Sequence, residues 1–150
     1  MRPLVIHLVV LVAAMHVYAQ SEALPSVETL NVIRNAQQVY VFPYTSSEHP
    51  KRDDAHMRLL DPSARDTLKR LLGVSRNWFE GFLDVVEPLG VRSVGVLFRS
   101  PADELVLFFD SVTIRGSFRR RSFYGGLEDK AREQLESWKQ RYARLELQSK

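Results

Sequence analysis

The apolar residues of this chain change their spacing near residue 92, and this change limits the fold more than any other feature of the sequence. Leu105 to Phe109 is apolar at every position, which is typical of a central strand covered on both faces. The preceding residues alternate as in a strand with one buried face, with apolar side chains at Val94, Val96 and Phe98. With a third strand at Val112 to Ile114, the pattern predicts an antiparallel meander over residues 92–115.

Outside the meander, apolar residues recur every three or four positions, which is the period of an α-helix. Capping residues such as Asp61 and Gly73 mark helix ends. One earlier strand is predicted at residues 38–44 from their β-branched and aromatic types, and Pro43 favours the edge of the sheet. Four helices are predicted, over residues 26–36, 61–72, 75–87 and 127–146. This order predicts an α+β domain in which helices pack on a sheet of about four strands.

The N-terminus has the order of a cleavable export signal. Arg2 precedes an apolar run from Leu4 to Ala14, and Val17-Tyr18-Ala19 ends in a small residue at the expected cleavage position. An uncleaved anchor is the alternative, but the run is shorter than the ~20 apolar residues that a membrane-spanning helix needs. We expect removal of residues 1–19, leaving residues 20–150 as one domain in the periplasm or outside the cell, with no stable transmembrane segment.

The sequence contains no cysteine, so no disulfide holds the fold and apolar packing must stabilise it. The sequence has 21 Lys and Arg residues and 18 Asp and Glu residues. This small excess of basic residues does not predict nucleic-acid binding, which requires basic side chains clustered on one face.

The order of elements from the helix that begins at Asp61 onward resembles that of small exported bacterial α+β domains. The resemblance rests on Val94 to Arg99, a polar turn, Glu104 to Asp110, Val112 to Ile114, and a Gly-Gly pair before the last helix. It covers roughly residues 57–145 and implies an architecture with no activity attached. In those domains the strand end often carries cysteine, whereas Asp110 and Ser111 stand there in this chain. The resemblance therefore implies no redox or metal role.

The most distinctive segment of the chain lies between the meander and the last helix, where arginines alternate with aromatic residues. Guanidinium groups can pair with phosphate or carboxylate while ring faces stack on an apolar or sugar surface. The candidate partners are anionic envelope lipid, polysaccharide or a protein. The simpler interpretation is a hairpin or connection whose rings contact the core and whose arginines are solvated. The candidate residues are Arg115, Phe118, Arg119, Arg120, Arg121, Phe123 and Tyr124.

A second candidate site is the loop that contains His49, Asp53, Asp54 and His56. Imidazole and carboxylate groups are ligand types that zinc or manganese accept. Their spacing does not match a regular metal motif, so a solvated charged loop is the simpler interpretation.

The sequence favours a non-enzymatic exported binding domain that needs no cofactor. It lacks a nucleophile elbow and a phosphate-binding glycine loop, and Glu104 and Asp110 lie at opposite ends of one predicted strand. A metal-dependent hydrolase that uses the histidine loop is the alternative. A structural or immunity-type protein that recognises one cognate partner is not separated from the binding domain by the sequence.

Signal cleavage predicts that the exported protein begins at Gln20. Mass spectrometry of the exported protein is expected to find no peptide from residues 1–19. An Ala19→Leu variant should retain them because signal peptidase requires a small residue at the cleavage position, whereas Ala14→Leu, inside the apolar run, should be processed normally. Recovery of exported wild-type protein that keeps residues 1–19 would contradict this prediction.

Overall fold

The computed structural model describes residues 21–22, 24–47, 49–80, 92–110 and 113–147. The predicted signal peptide lies outside these residues. The helices are α1 (Val27–Asn35), α2 (Pro62–Leu72) and α3 (Asp129–Leu147). The strands are β1 (Ser21–Glu22), β2 (Gln38–Thr45), β3 (Arg58–Leu59), β4 (Trp78–Phe79), β5 (Arg92–Arg99), β6 (Glu104–Phe109), β7 (Ile114–Phe118) and β8 (Arg121–Leu127).

The strands form one sheet with the order β1-β8-β7-β6-β5-β2-β3, and β4 pairs with β8 beside this path. Every pairing is antiparallel except that of β1 with β8, which is parallel. The α+β class is therefore confirmed, and β5, β6 and β7 pair as an antiparallel meander. The third strand, predicted at Val112 to Ile114, is instead Ile114–Phe118, and Val112 lies outside the described residues. The predicted count of about four strands is too low, because the two-residue strands carry no sequence pattern and the arginine- and glycine-containing sequence of β8 lacks the apolar alternation of a strand.

A side-chain cap begins each of the first two helices, and the cap at Asp61 is the predicted one. The Ser26 hydroxyl accepts a hydrogen bond from the Thr29 amide at 3.2 Å and begins α1. The Asp61 carboxylate accepts one from the Ala64 amide at 2.9 Å and begins α2. Pro62 occupies the first turn of α2, where its missing N–H leaves no bond unmade. The helices predicted at 26–36, 61–72 and 127–146 are confirmed with ends shifted by at most two residues.

The helix predicted at residues 75–87 is wrong over its first part. Ser75–Asn77 forms a short 3-10 turn, and Trp78–Phe79 is β4, which pairs with Gly126 and Leu127. The Trp78 indole donates a hydrogen bond to the Leu72 carbonyl at 2.8 Å, and its buried ring meets Phe123 edge to face. These tertiary contacts fix an extended backbone where the apolar spacing alone indicates a helix. Residues 81–87 of this prediction lie outside the described residues.

The three helices cover one face of the sheet and enclose the main apolar core. Both tryptophans lie in this core, as predicted, with Trp78 6% and Trp138 5% exposed. The fully buried strand residues of the core are Val39, Val96, Phe98, Leu105, Leu107 and Phe109. Burial of each large side chain contributes roughly 1.5–3 kcal/mol.

The opposite face of the central strands carries a smaller apolar cluster around Phe42, Tyr44 and Leu97. The segments 46–47 and 49–57 lie beside this face, where the Ser47 carbonyl accepts a hydrogen bond from Arg115 and Met57 packs on the cluster. The Phe42 ring lies directly on Gly95, since a Cβ atom there would come within 2.3 Å of the ring. Strand β2 is thus buried on both faces. Pro43 predicts that it lies at the edge of the sheet, but β3 lies outside it and pairs with Tyr40 and Val41 alone, so only part of its outer side is open.

Truncation of a central core residue should strongly destabilise this disulfide-free fold. We expect Leu107→Ala, at a position that is 0% exposed, to lower the free energy of unfolding by about 2–5 kcal/mol. Leu59→Ala is the matched control because Leu59 is 59% exposed on β3, and it should change stability by less than about 0.5 kcal/mol. Urea denaturation measures both values, and equal losses would contradict the described core.

Candidate functional site: the arginine hairpin

The arginine-rich segment forms the hairpin of β7 and β8 rather than a flexible loop. Phe118 pairs with Arg121 across the hairpin, so Arg119 and Arg120 alone form its turn. The alternation of side chains along the two strands sends neighbouring residues to opposite faces of the sheet. The seven predicted site residues are therefore divided between the core, the opposite face and the turn. We call Arg119, Arg120 and Arg121 the arginine tip.

Two aromatic residues of the predicted site belong to the core. Phe118 is 7% and Phe123 is 4% exposed. The Phe123 ring fills the space over Gly116, where a Cβ atom would approach the ring to 2.1 Å. These rings hold the hairpin against the helices, as the simpler interpretation of the sequence proposes for them.

Arg115 neutralises a buried carboxylate on the opposite face of the sheet. Its Nε donates to Asp110 Oδ2 at 2.6 Å, and its Nη2 donates to Asp110 Oδ1 at 3.2 Å. The Tyr44 hydroxyl donates to the same Oδ1 at 2.8 Å. Only 4% of the Asp110 side chain is exposed, and removing one partner of such a buried pair typically costs about 3–5 kcal/mol. Arg115 is thus bound into the fold, beside the half-buried Tyr124 of β8.

The same contacts make Tyr44 a poor acid. Burial, and then the charge and the hydrogen bond of Asp110, raise the pKa of the Tyr44 phenol well above its ordinary value. A tyrosinate at this position would lie unsolvated beside a carboxylate.

The raised pKa of Tyr44 predicts a loss of stability in strong base. A folded-state pKa above the unfolded value of about 10 means that the folded state holds the proton more tightly, so stability is complete below that pH and falls above it. The expected slope for one such group is about 1.4 kcal/mol per pH unit.

Urea titrations between about pH 8 and about pH 11 measure this slope. The Tyr44→Phe variant should be less stable at neutral pH because it leaves Asp110 one hydrogen bond short. Its stability should fall less steeply than that of the wild type in base. Parallel curves for the two proteins would contradict the assignment of the raised pKa to Tyr44.

The turn of the hairpin has an unusual backbone. Arg119 has a φ of 47° and Arg120 a φ of 66°. Two-residue hairpin turns with positive φ at both central positions normally contain Asn-Gly or Gly-Gly, because a left-handed conformation costs other residues roughly 1–2 kcal/mol each. Two consecutive arginines therefore occupy positions where they destabilise the turn.

Carboxylates from two neighbouring elements hold Arg119 in place. Its Nε and Nη2 donate to Asp103 at 3.0 and 3.2 Å, and Glu28 of α1 lies 3.8 Å from Nη1. The guanidinium also lies 5.0 Å from the centre of the Phe118 ring. No local sequence pattern reveals this role of Asp103 and Glu28, because both residues are distant from Arg119 in the chain.

The other two arginines of the tip are exposed. Within the part of the chain that the structure describes, Arg120 has no hydrogen-bond or ion-pair partner. The tip thus presents the Arg120 charge to solvent, next to Arg119, whose charge the carboxylates of Asp103 and Glu28 compensate.

The histidine loop does not bring its four predicted ligands together. The His56 Nδ1 lies 2.8 Å from Asp53 Oδ2, and this hydrogen bond, more than any other contact, lowers the pKa of the Asp53 carboxyl. Asp54 instead forms an ion pair with Arg52, and His49 is exposed. Among the described residues, no three His, Asp or Glu side chains converge as a metal-binding group.

Comparisons with protein-family models, curated protein sequences and solved structures each found no match to this chain. Within the described ranges, no helix has both the length and the apolar character needed to span a bilayer.

Proposed function

We propose that this chain is an exported, non-enzymatic binding domain that attaches to an anionic surface through the arginine tip. The ligand groups are phosphates or carboxylates, which arginine recognises through its planar set of N–H donors. The proposal of export rests on the predicted signal peptide. It would place the domain in the periplasm or outside the cell, where lipid headgroups and acidic polysaccharides carry such groups.

The left-handed backbone of Arg119 and Arg120 is the observation that carries the proposal. Backbone strain of this kind persists where the surrounding structure enforces it, and it is concentrated at binding and catalytic sites. Asparagine or glycine would suit the same turn without the penalty. A requirement other than folding therefore accounts best for arginine at these positions.

The neighbouring contacts support a binding role for the tip. Asp103 and Glu28 fix the direction of Arg119, so this side chain loses little additional conformational freedom on binding. Arg120, at the outermost position of the hairpin, keeps its charge available for an external anion. The rings of Phe118 and Phe123, by contrast, are committed to the core and take no part in the proposed contact.

The hydrolase alternative has no comparable support. The Asp53 and Asp54 carboxylates are engaged by His56 and Arg52, respectively.

The decisive test separates binding from stability at Arg120. In Arg120→Asn, asparagine tolerates positive φ and carries no charge, so we expect stability to rise by up to about 1 kcal/mol. Affinity for phosphatidylglycerol vesicles at low salt should fall about fivefold, since one basic residue near an anionic membrane contributes about 1 kcal/mol. Vesicle cosedimentation measures the affinity, and thermal unfolding measures the stability.

Arg70→Gln is the matched control because Arg70 is an exposed arginine on α2, and its loss changes the net charge equally. It should leave vesicle binding unchanged. The same titration with an acidic polysaccharide distinguishes a lipid from a carbohydrate source of the anion. Equal losses in Arg120→Asn and Arg70→Gln would indicate nonspecific attraction and overturn the proposal, as would binding to neither probe by the wild type.

A further inference from the structure

Three segments of the chain meet at the end of the sheet that carries the arginine tip. The turn at residues 100–103 lies at the same end as the tip, because β5 and β7 both run antiparallel to β6. The Arg119 guanidinium connects the two turns through its hydrogen bonds to Asp103. The first turn of α1 reaches the same guanidinium, since Glu28 lies 3.8 Å from it.

The first residue of α1, Val27, exposes an apolar side chain at this junction. It directly precedes Glu28 in the chain, and its exposed fraction of 71% is the highest among the large apolar residues that the structure describes. Leu30 and Ile33, by contrast, bury the inner face of α1 in the core. Packing of the fold therefore does not account for an apolar residue at position 27.

The turn at residues 100–103 adds two exposed residues without charge, Pro101 and Ala102. The Ser100 amide donates a hydrogen bond to the Asp103 carbonyl at 2.9 Å, and the Asp103 amide donates one to the Ser100 hydroxyl at 3.1 Å. These bonds hold Pro101 and Ala102 at the outer point of a tight turn. The end of the sheet thus combines the Arg120 charge with apolar side chains from two other segments.

This combination favours a lipid membrane over the other anionic partners of the tip. Proteins that lie on a bilayer place apolar side chains at the boundary between headgroups and acyl chains, and their basic side chains attract anionic lipids. An acidic polysaccharide offers charge but no apolar layer that Val27 could enter. Two turns and the start of a helix also form a projecting end, which suits contact with an extended surface.

We propose that this end of the molecule is a membrane-docking surface. Arg120 pairs with the phosphate of an anionic lipid, while Val27 and the Pro101-Ala102 turn enter the boundary between headgroups and acyl chains. The inference rests on the proposed function of the arginine tip and commits that function to lipid as the source of the anion.

Cosedimentation of the whole protein with phosphatidylglycerol vesicles tests the apolar contact. Val27→Ser should lower the affinity about tenfold and Val27→Leu should raise it about fourfold, because membrane affinity increases with the apolar area that enters the bilayer. Thermal unfolding should change little in either variant, since this side chain is exposed. Leu59→Ser is the matched control, because Leu59 is also exposed but lies on β3, at the far edge of the sheet from β8. It should bind like the wild type.

Salt separates the two contributions to binding. At about 0.5 M salt, charge attraction is largely screened, so the effect of Arg120→Asn should shrink. The difference between the wild type and Val27→Ser should persist, because insertion of an apolar side chain does not depend on charge.

Vesicles with bromine atoms on their acyl chains test insertion directly, because bromine quenches a tryptophan that reaches it. The native Trp78 and Trp138 are buried in the core and should keep their fluorescence. The indole introduced by Val27→Trp should be quenched, whereas the one introduced by Leu59→Trp should not.

The outcomes distinguish this inference from the proposed function. Unchanged affinity in Val27→Ser, or no quenching in Val27→Trp, would overturn the docking surface even where Arg120→Asn weakens vesicle binding, and the proposed function of the tip would then stand. Binding of the wild type to an acidic polysaccharide but not to vesicles would have the same meaning. If Arg120→Asn bound both probes as well as the wild type does, the proposed function itself would be wrong.

Discussion

The burial of both faces of the central strands is the constraint on which the rest of this structure depends. Without a disulfide, the fold gains its stability from apolar packing, and β2, β5 and β6 contribute side chains to two layers. Helices cover one face, and the segments 46–47 and 49–57 cover part of the other. This double burial explains why Leu105 to Phe109 is apolar throughout, since neither set of alternate side chains faces open water.

The second face of the sheet also buries polar groups, and these groups form hydrogen bonds and an ion pair with one another. Asp110 ends β6 in a buried position, where Tyr44 and Arg115 satisfy its carboxylate. Arg115 also donates to the Ser47 carbonyl, so a single guanidinium joins the hairpin, the strand end and the covering segment. This network fixes the base of the hairpin and thereby the direction in which its tip projects.

The arginine tip and the core follow opposite physical requirements. Residues at the base of the hairpin pack closely, as the Phe123 ring does over Gly116. Residues in its turn hold an unfavourable backbone and expose charge. At the tip, a feature that does not stabilise the fold is the basis for the proposed binding role.

The sequence by itself determined the elements whose signals are local. Ser26 and Asp61 cap helices through hydrogen bonds to amides three residues away, and the meander follows from apolar alternation, so these elements were predictable. Only the tertiary structure decided the backbone conformation at Trp78 and the partners of the arginine segment. Pairing with Leu127 made the apolar stripe at Trp78 a strand. Asp110 binds Arg115, five residues along the chain, into the fold, whereas Asp103 binds Arg119, 16 residues along the chain, at the tip. The reason is that periodicity records which residues prefer burial or a given backbone, whereas their partners are set by chain segments that meet only after folding.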